Sequence, residues 1–349
     1  MLSSHQAHRD ERQEASSAAR PIMAIGILIF GLLGLLLSCL LSISVGAVNI
    51  HVHNVWQAIF SFDPSLPQHQ IVRELRMPRA FAGAIVGACF AVAGVIMQGI
   101  TRNPLADSGL LGLNAGAGFA LAVCYAFFPH ISILYTMFFS FLGAGLGAAV
   151  IYGLGSISSG GLKPVRLVLA GAAVSILFQA LSEGIALYFQ IGQDLSFWYA
   201  GGVAGTTWLQ LKVMAPVTAG GLAAAMLLAR KLNLLGLGDD VAAGLGVRIN
   251  LVKLAALVVV MVIAGTAVSA VGGVAFVGLM IPHLARAMVG NDNRWVIPCS
   301  AVLGSLLVVW ADIVSRLVHR PFETPLGAII ALIGVPFFLY MARRTERGL

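Results

Sequence analysis

From Pro21 to Arg343 the chain runs as one apolar stretch after another, separated by short polar joints. A backbone in lipid must satisfy its own hydrogen bonds, so stretches this apolar are expected to be helices. A crossing takes about 20 residues. On that ruler the sequence holds about ten, near residues 22–45, 80–98, 109–128, 131–154, 165–189, 208–229, 249–271, 275–289, 296–318 and 325–341. The eighth is short, follows Gly272-Gly273 and contains Pro282. A broken or tilted segment held among other helices is expected there. The predicted fold class is therefore an all-α integral membrane protein. Residues 1–20 are expected to form a flexible cytoplasmic tail and residues 21–349 one ten-helix bundle, with a cytoplasmic loop over 230–250.

Composition agrees with that pattern. The chain is 59% hydrophobic and only 10% charged, with a mean hydropathy of +0.93, where soluble domains carry roughly 25% charged residues. The first apolar run is too long for a signal core, so no cleavable signal peptide is expected. Lys and Arg near span ends stay on the cytoplasmic side. With both termini inside, the 21 basic residues divide 15 to 6 in favour of the inner face. The net charge of +7 then reports topology, and a nucleic-acid partner has nothing to recommend it. Cys39, Cys89, Cys124 and Cys299 fall in or beside apolar spans, without disulfide or metal spacing. Gly83 with Gly87, Gly112 with Gly116 and Gly143 with Gly147 make small faces that let helices approach closely in lipid.

Function is expected at the polar joints. In the stretch from Arg230 to Asn250, Asp239 and Asp240 follow Gly238 as an acidic helix start, and Gly244 and Gly246 mark its end. Leu232, Leu234, Leu235, Leu237, Val241 and Leu245 make this joint more apolar than a solvated connector requires, which suggests a docking surface for a cytoplasmic partner. In a second joint Arg102-Asn103-Pro104 stops a helix and Asp107 and Ser108 can cap the next. Turn chemistry leaves Asn114 and Gln98 unexplained, and polar groups at that depth usually face a bundle interior or a water-filled path. Glu183 and Asp312 are acidic residues well inside apolar runs, and two readings of Glu183 stay open: a pathway lining or a hydrogen-bonded packing residue. His51 and His53 lack a nearby third ligand, so no metal site is assigned.

The residues also carry a resemblance. Glu74-Leu-Arg-Met-Pro-Arg79, then Gly83, Gly87, Gln98 and Arg102-Asn-Pro-Leu-Ala106, resemble the permease family of ABC importers for iron-siderophores, haem and vitamin B12, the FecCD-like group of type II importers. Gly273-Val-Ala-Phe-Val-Gly-Leu-Met-Ile-Pro-His-Leu-Ala-Arg286, Ala311-Asp-Ile-Val-Ser-Arg316 and Glu323-Thr-Pro-Leu-Gly327 fit the same family, over nearly the whole chain after the tail. The resemblance implies a bacterial inner-membrane permease paired with a second copy or a sister permease. Two ATPase subunits lie below and an extracytoplasmic binding protein above, and the cargo is a ferric siderophore of hydroxamate or catecholate type, with haem or vitamin B12 as alternatives. No phosphate loop occurs in this sequence, so ATP and magnesium belong to the ATPase chains, and the permease itself is expected to be neither an enzyme nor a cofactor carrier.

Carried over residue by residue, the resemblance implies binding-protein docking at Arg76, Arg79 and Arg316; for Arg316 a local pair with Asp312 is the competing reading. It implies ATPase coupling through Asn233, Leu235, Gly238, Asp239, Asp240, Leu245 and Gly246. Asn103 and Leu105, with Ser158 and Ser159 in another inner connection, match a cytoplasmic gate; Asn114 and Glu183 join them as pathway candidates. The acidic pair Asp239-Asp240 stands where the family more often has glutamates, and Ser108 where it commonly has proline. A proton-coupled carrier using Glu183 or Asp312 is the alternative from another class.

Overall fold

The computed structural model describes residues 20–46, 50–157, 164–319 and 322–346. Every regular element among them is helical. In chain order they are α1 (Pro21–Ser44), α2 (Val52–Phe60), α3 (Pro67–Thr101), a 3-10 turn (Ser108–Leu111), α4 (Leu113–Phe127), α5 (Ile133–Ile157), α6 (Pro164–Phe189), α7 (Gly192–Ala200), α8 (Trp208–Gly236), α9 (Asp239–Gly244), α10 (Ile249–Val271), α11 (Val277–Val289), α12 (Asn293–Leu317) and α13 (Leu326–Glu346). Seven of these are long and apolar enough to cross a membrane, and α4, α11 and the apolar part of α13 are shorter. Together they are the ten apolar stretches of the sequence.

The boundaries differ where local chemistry overrides hydropathy. The second span starts at Pro67, well before residue 80, because a proline-initiated turn and a π-helical turn, Ile71–Arg76, carry the polar segment into the helix. Helix α8 begins at a capping box in which the Thr207 side chain accepts from Gln210 N and the Gln210 side chain reaches back to Thr207 N. It continues to Gly236, two turns beyond its expected end. The short helices α2 and α7 lie in joints where no helix was expected.

Helix α3 is the axis of the bundle. Its apolar window is 83% buried, against 17% for α1, and α8, α10, α11 and α12 all pack on it. The approach is closest where side chains are absent. A β-carbon on Gly87 would overlap the Gly304 carbonyl of α12, and one on Gly94 the Gly278 carbonyl of α11. Gly116 of α4 meets Gly143 and Gly147 of α5 in the same way. Between α10 and α11 the chain leaves helical geometry from Gly272 (φ 76) to Phe276 (φ 68), so α11 starts part-way into the bundle.

Replacing Gly94 with Val is expected to destabilise the protein by about 2 kcal/mol or more, the cost of overpacking a filled interior. Gly26→Ala, with open space around the new methyl, is expected to change little, and thermal unfolding in detergent compares the two.

Candidate functional site

The bundle has two polar ends. At one, α9 lies across the joint between α8 and α10. Gly238 turns the chain with φ 114. Asp239 then faces inward, pairing with Arg102 (2.9 Å) and Lys253 (2.8 Å), so it ties α9 to the end of α3 and to α10. Asn233 is also spent internally: its Nδ2 donates to Asp292 Oδ1 (2.6 Å), and its Oδ1 accepts from Asn293 N (2.9 Å). Leu232 and Leu235 are core residues of the lengthened α8. Leu234 is half-buried, and the others face out. Leu237 is 62% exposed, Val241 50% and Leu245 59%, with Asp240 and Gly246 exposed among them. The expected apolar docking surface therefore resolves into a smaller patch on and beside α9.

At the same end Asn103 makes a local turn, its Oδ1 accepting from Leu105 N at 2.9 Å, and both residues are half-buried. Asp107 caps the 3-10 turn through Ser108 N (2.6 Å). Ser158 and Ser159 lie outside the described residues. Deeper in, Asn114 packs over the Gly272–Phe276 break: a β-carbon on Gly273 would come within 2.8 Å of its Nδ2. Gln98 bridges to α11, its Nε2 donating to the Gly278 and Leu279 carbonyls (3.2 and 3.3 Å) while Arg286 donates to its Oε1. Both amides thus face the bundle interior.

At the opposite end the three arginines are buried, and Arg316 forms the local pair with Asp312. Arg76, Arg79 and Arg316 are 7%, 9% and 6% exposed, and a freely presented guanidinium is not what they offer. Arg76 donates to the Ile43 and Ser44 carbonyls (2.9 and 2.8 Å). Arg316 donates to the Ser42 and Val45 carbonyls (2.9 and 2.8 Å). These are orphan acceptors at the end of α1, where the helix dipole favours a cation. Asp312 accepts from Arg79 (2.8 Å) and Arg316 (2.8 Å), and Glu323 pairs with Arg79 at 2.6 Å. Three cations and two carboxylates leave one net positive charge clasped between α1, α3 and α12. Exposed around this clasp are Arg73, stacked over Phe62 at 4.5 Å, and Glu74. His51 and His53 are exposed at the start of α2. Glu183 is exposed on α6 and accepts from Gln179 Nε2 at 3.0 Å.

Comparison with known proteins follows this architecture closely. The profile of the FecCD transport family matches residues 34–344. The chain belongs to the FecCD transport family. Over 348 residues it is 50% identical to the iron(3+)-hydroxamate import system permease protein FhuB of Bacillus subtilis (strain 168), covering 100% of this chain and 91% of that protein. It is 38% identical to the ferric enterobactin transport system permease protein FepD of Escherichia coli (strain K12), covering 95% of this chain and 98% of that one. A metal-chelate type ABC transporter solved in an inward-facing conformation superposes with a TM-score of 0.79 at 26% identity, covering 91% and 99% of the two chains. This FecCD-family chain is thus a multi-pass permease.

Sequence reasoning missed the inward role of Asp239 and the reach of Arg79 to Asp312 and Glu323. The Arg316–Asp312 pair, one helical turn apart, is the competing reading for Arg316, and the structure forms it. Arg79→Ala is expected to cost about 3 kcal/mol, because it strips a partner from a buried carboxylate. Arg73→Ala, at an exposed site, should cost under about 1 kcal/mol. Unfolding midpoints of the two variants check this contrast.

Proposed function

We propose that this FecCD-family permease carries ferric siderophore of the hydroxamate class across the bacterial cell membrane, driven by ATP. The observation that carries the reading is the 50% identity to a hydroxamate permease along the whole chain. In this reading the permease pairs with a second copy or a sister permease, and both termini face the cytoplasm. Two ATPase subunits bind ATP and magnesium and seat against the Leu237, Asp240, Val241 and Leu245 patch. The Asp239–Arg102 pair passes movement of α9 to the Asn103–Leu105 joint, which serves as part of the gate. Ser158 and Ser159 complete that gate, and Asn114 senses it at the α10–α11 break.

An extracytoplasmic binding protein docks at the other end. Arg76, Arg79 and Arg316 supply the positive field there and fix the helix ends, and exposed groups such as Arg73 set the approach; rim charges chiefly govern on-rate and register. The proton-coupled alternative loses one of its two carboxylates, since two arginines hold Asp312.

Deleting the chain and measuring uptake of radioactive iron as ferric hydroxamate, ferric catecholate and haem, with labelled cobalamin alongside, tests the cargo. Loss of ferric hydroxamate uptake is expected; loss confined to any other cargo contradicts the proposal. Asp240→Lys combined with Leu245→Asp should lower transport at least about tenfold while the protein stays in the membrane, as expected for charge and bulk placed at the centre of an interface. Unaltered transport in that variant removes the patch from coupling.

A further inference from the structure

Helix α6 touches the rest of the chain along one narrow stripe. Val174, Phe178 and Ser182, spaced by four, are buried, and most residues between them are exposed. On the exposed surface Gln179 and Glu183 sit one turn apart, joined by their hydrogen bond. Glu183 lies six residues before Phe189, which ends the helix, or about 9 Å along the axis. A carboxylate at that depth in a span faces a protein interior or water and not lipid.

Beside it opens a cavity of about 560 Å³, walled among others by Gln179, Glu183 and Leu187 of α6 and by Leu195, Ser196 and Tyr199 of α7. The volume falls in the range of small-molecule sites. No described lining residue is basic, so its one formal charge is the Glu183 carboxylate. The amide and the two hydroxyls add neutral donors and acceptors. The cavity lies at the α2 end of the bundle, where the binding protein would deliver cargo.

We propose that this cavity is a charge-selective entry station, in which Glu183 and its polar neighbours accept neutral or cationic ferric chelates and reject polyanionic ones. The proposal rests on the permease reading above and gives it a chemical criterion. Three hydroxamates cancel the charge of ferric iron, and around that neutral core the chelate presents amide N–H groups, or an added ammonium that makes it cationic, which donate to a carboxylate. A ferric tricatecholate keeps a net trianionic charge. In a partly hydrated site, one fixed carboxylate on the wall disfavours such an anion, and the walls around it reduce dielectric attenuation relative to bulk water.

Ferrioxamine B and its N-acetyl derivative share one ferric chelate and differ by one ammonium charge, which makes them a matched pair of probes. The complete importer is reconstituted in proteoliposomes, the binding protein is preloaded with either chelate, and initial uptake per loaded binding protein gives a cation-to-neutral ratio. Glu183→Gln is expected to lower that ratio by about tenfold, the order of one unit-charge interaction in a partly hydrated site. Gln179→Glu, which adds a second carboxylate to the same wall, is expected to raise it several-fold. A ratio that stays at the unaltered value in both variants overturns the proposal, whether total uptake is kept or falls equally for both chelates. Failure of the unaltered importer to take up either chelate with ATP overturns the permease reading itself.

Discussion

Lipid gives two helices no hydrophobic reason to associate, so a membrane bundle depends on how closely backbones can approach and on where polar groups find partners. In this chain both conditions meet on α3. Gly87 and Gly94 admit the carbonyl-bearing backbones of α12 and α11. Gln98, one turn beyond Gly94, then ties α3 to the first turn of α11. The short α11 and the non-helical Gly272–Phe276 segment are held within the bundle by these contacts, where irregular backbone is tolerable because protein surrounds it.

The two ends of α3 carry charge for different purposes. At Arg76 and Arg79 the charge is buried, and its partners are helix-end carbonyls and the Asp312 and Glu323 carboxylates. Removing one member leaves another uncompensated, which makes this end rigid. At Arg102 the pair with Asp239 is partly exposed. Such a pair is individually weak and readily exchanged, which suits the coupling role proposed for α9. A buried, rigid charge cluster at one end and a partly exposed pair at the other are consistent with the docking and coupling roles proposed for them.

Much of this was legible in the sequence. Hydropathy gave the ten apolar stretches, and Gly272-Gly273 with Pro282 marked the broken one. The small-residue faces also met: Gly116 packs against Gly143 and Gly147. What the sequence did not carry was direction. The leucines around 232–245 look alike as a string, yet Leu232 and Leu235 are core while Leu237 and Leu245 are exposed, because α8 runs two turns further than its hydropathy suggests. Arg76 and Arg79 likewise looked like surface charge, since hydropathy cannot see that the end of α1 brings carbonyls to Arg76, or that Asp312, 233 residues away, folds against Arg79. Family resemblance identified the chain's class, and the α6–α7 cavity depended on three-dimensional placement alone.

Under the proposed function, ATP hydrolysis on partner subunits moves α9 and so powers transport through this permease. Uptake of radioactive ferric hydroxamate into proteoliposomes holding the full complex measures it most directly, with ATP supplied and the proton gradient collapsed, and then with the gradient imposed and ATP absent. Uptake is expected in the first condition and none in the second. Uptake that follows the gradient without ATP would contradict it.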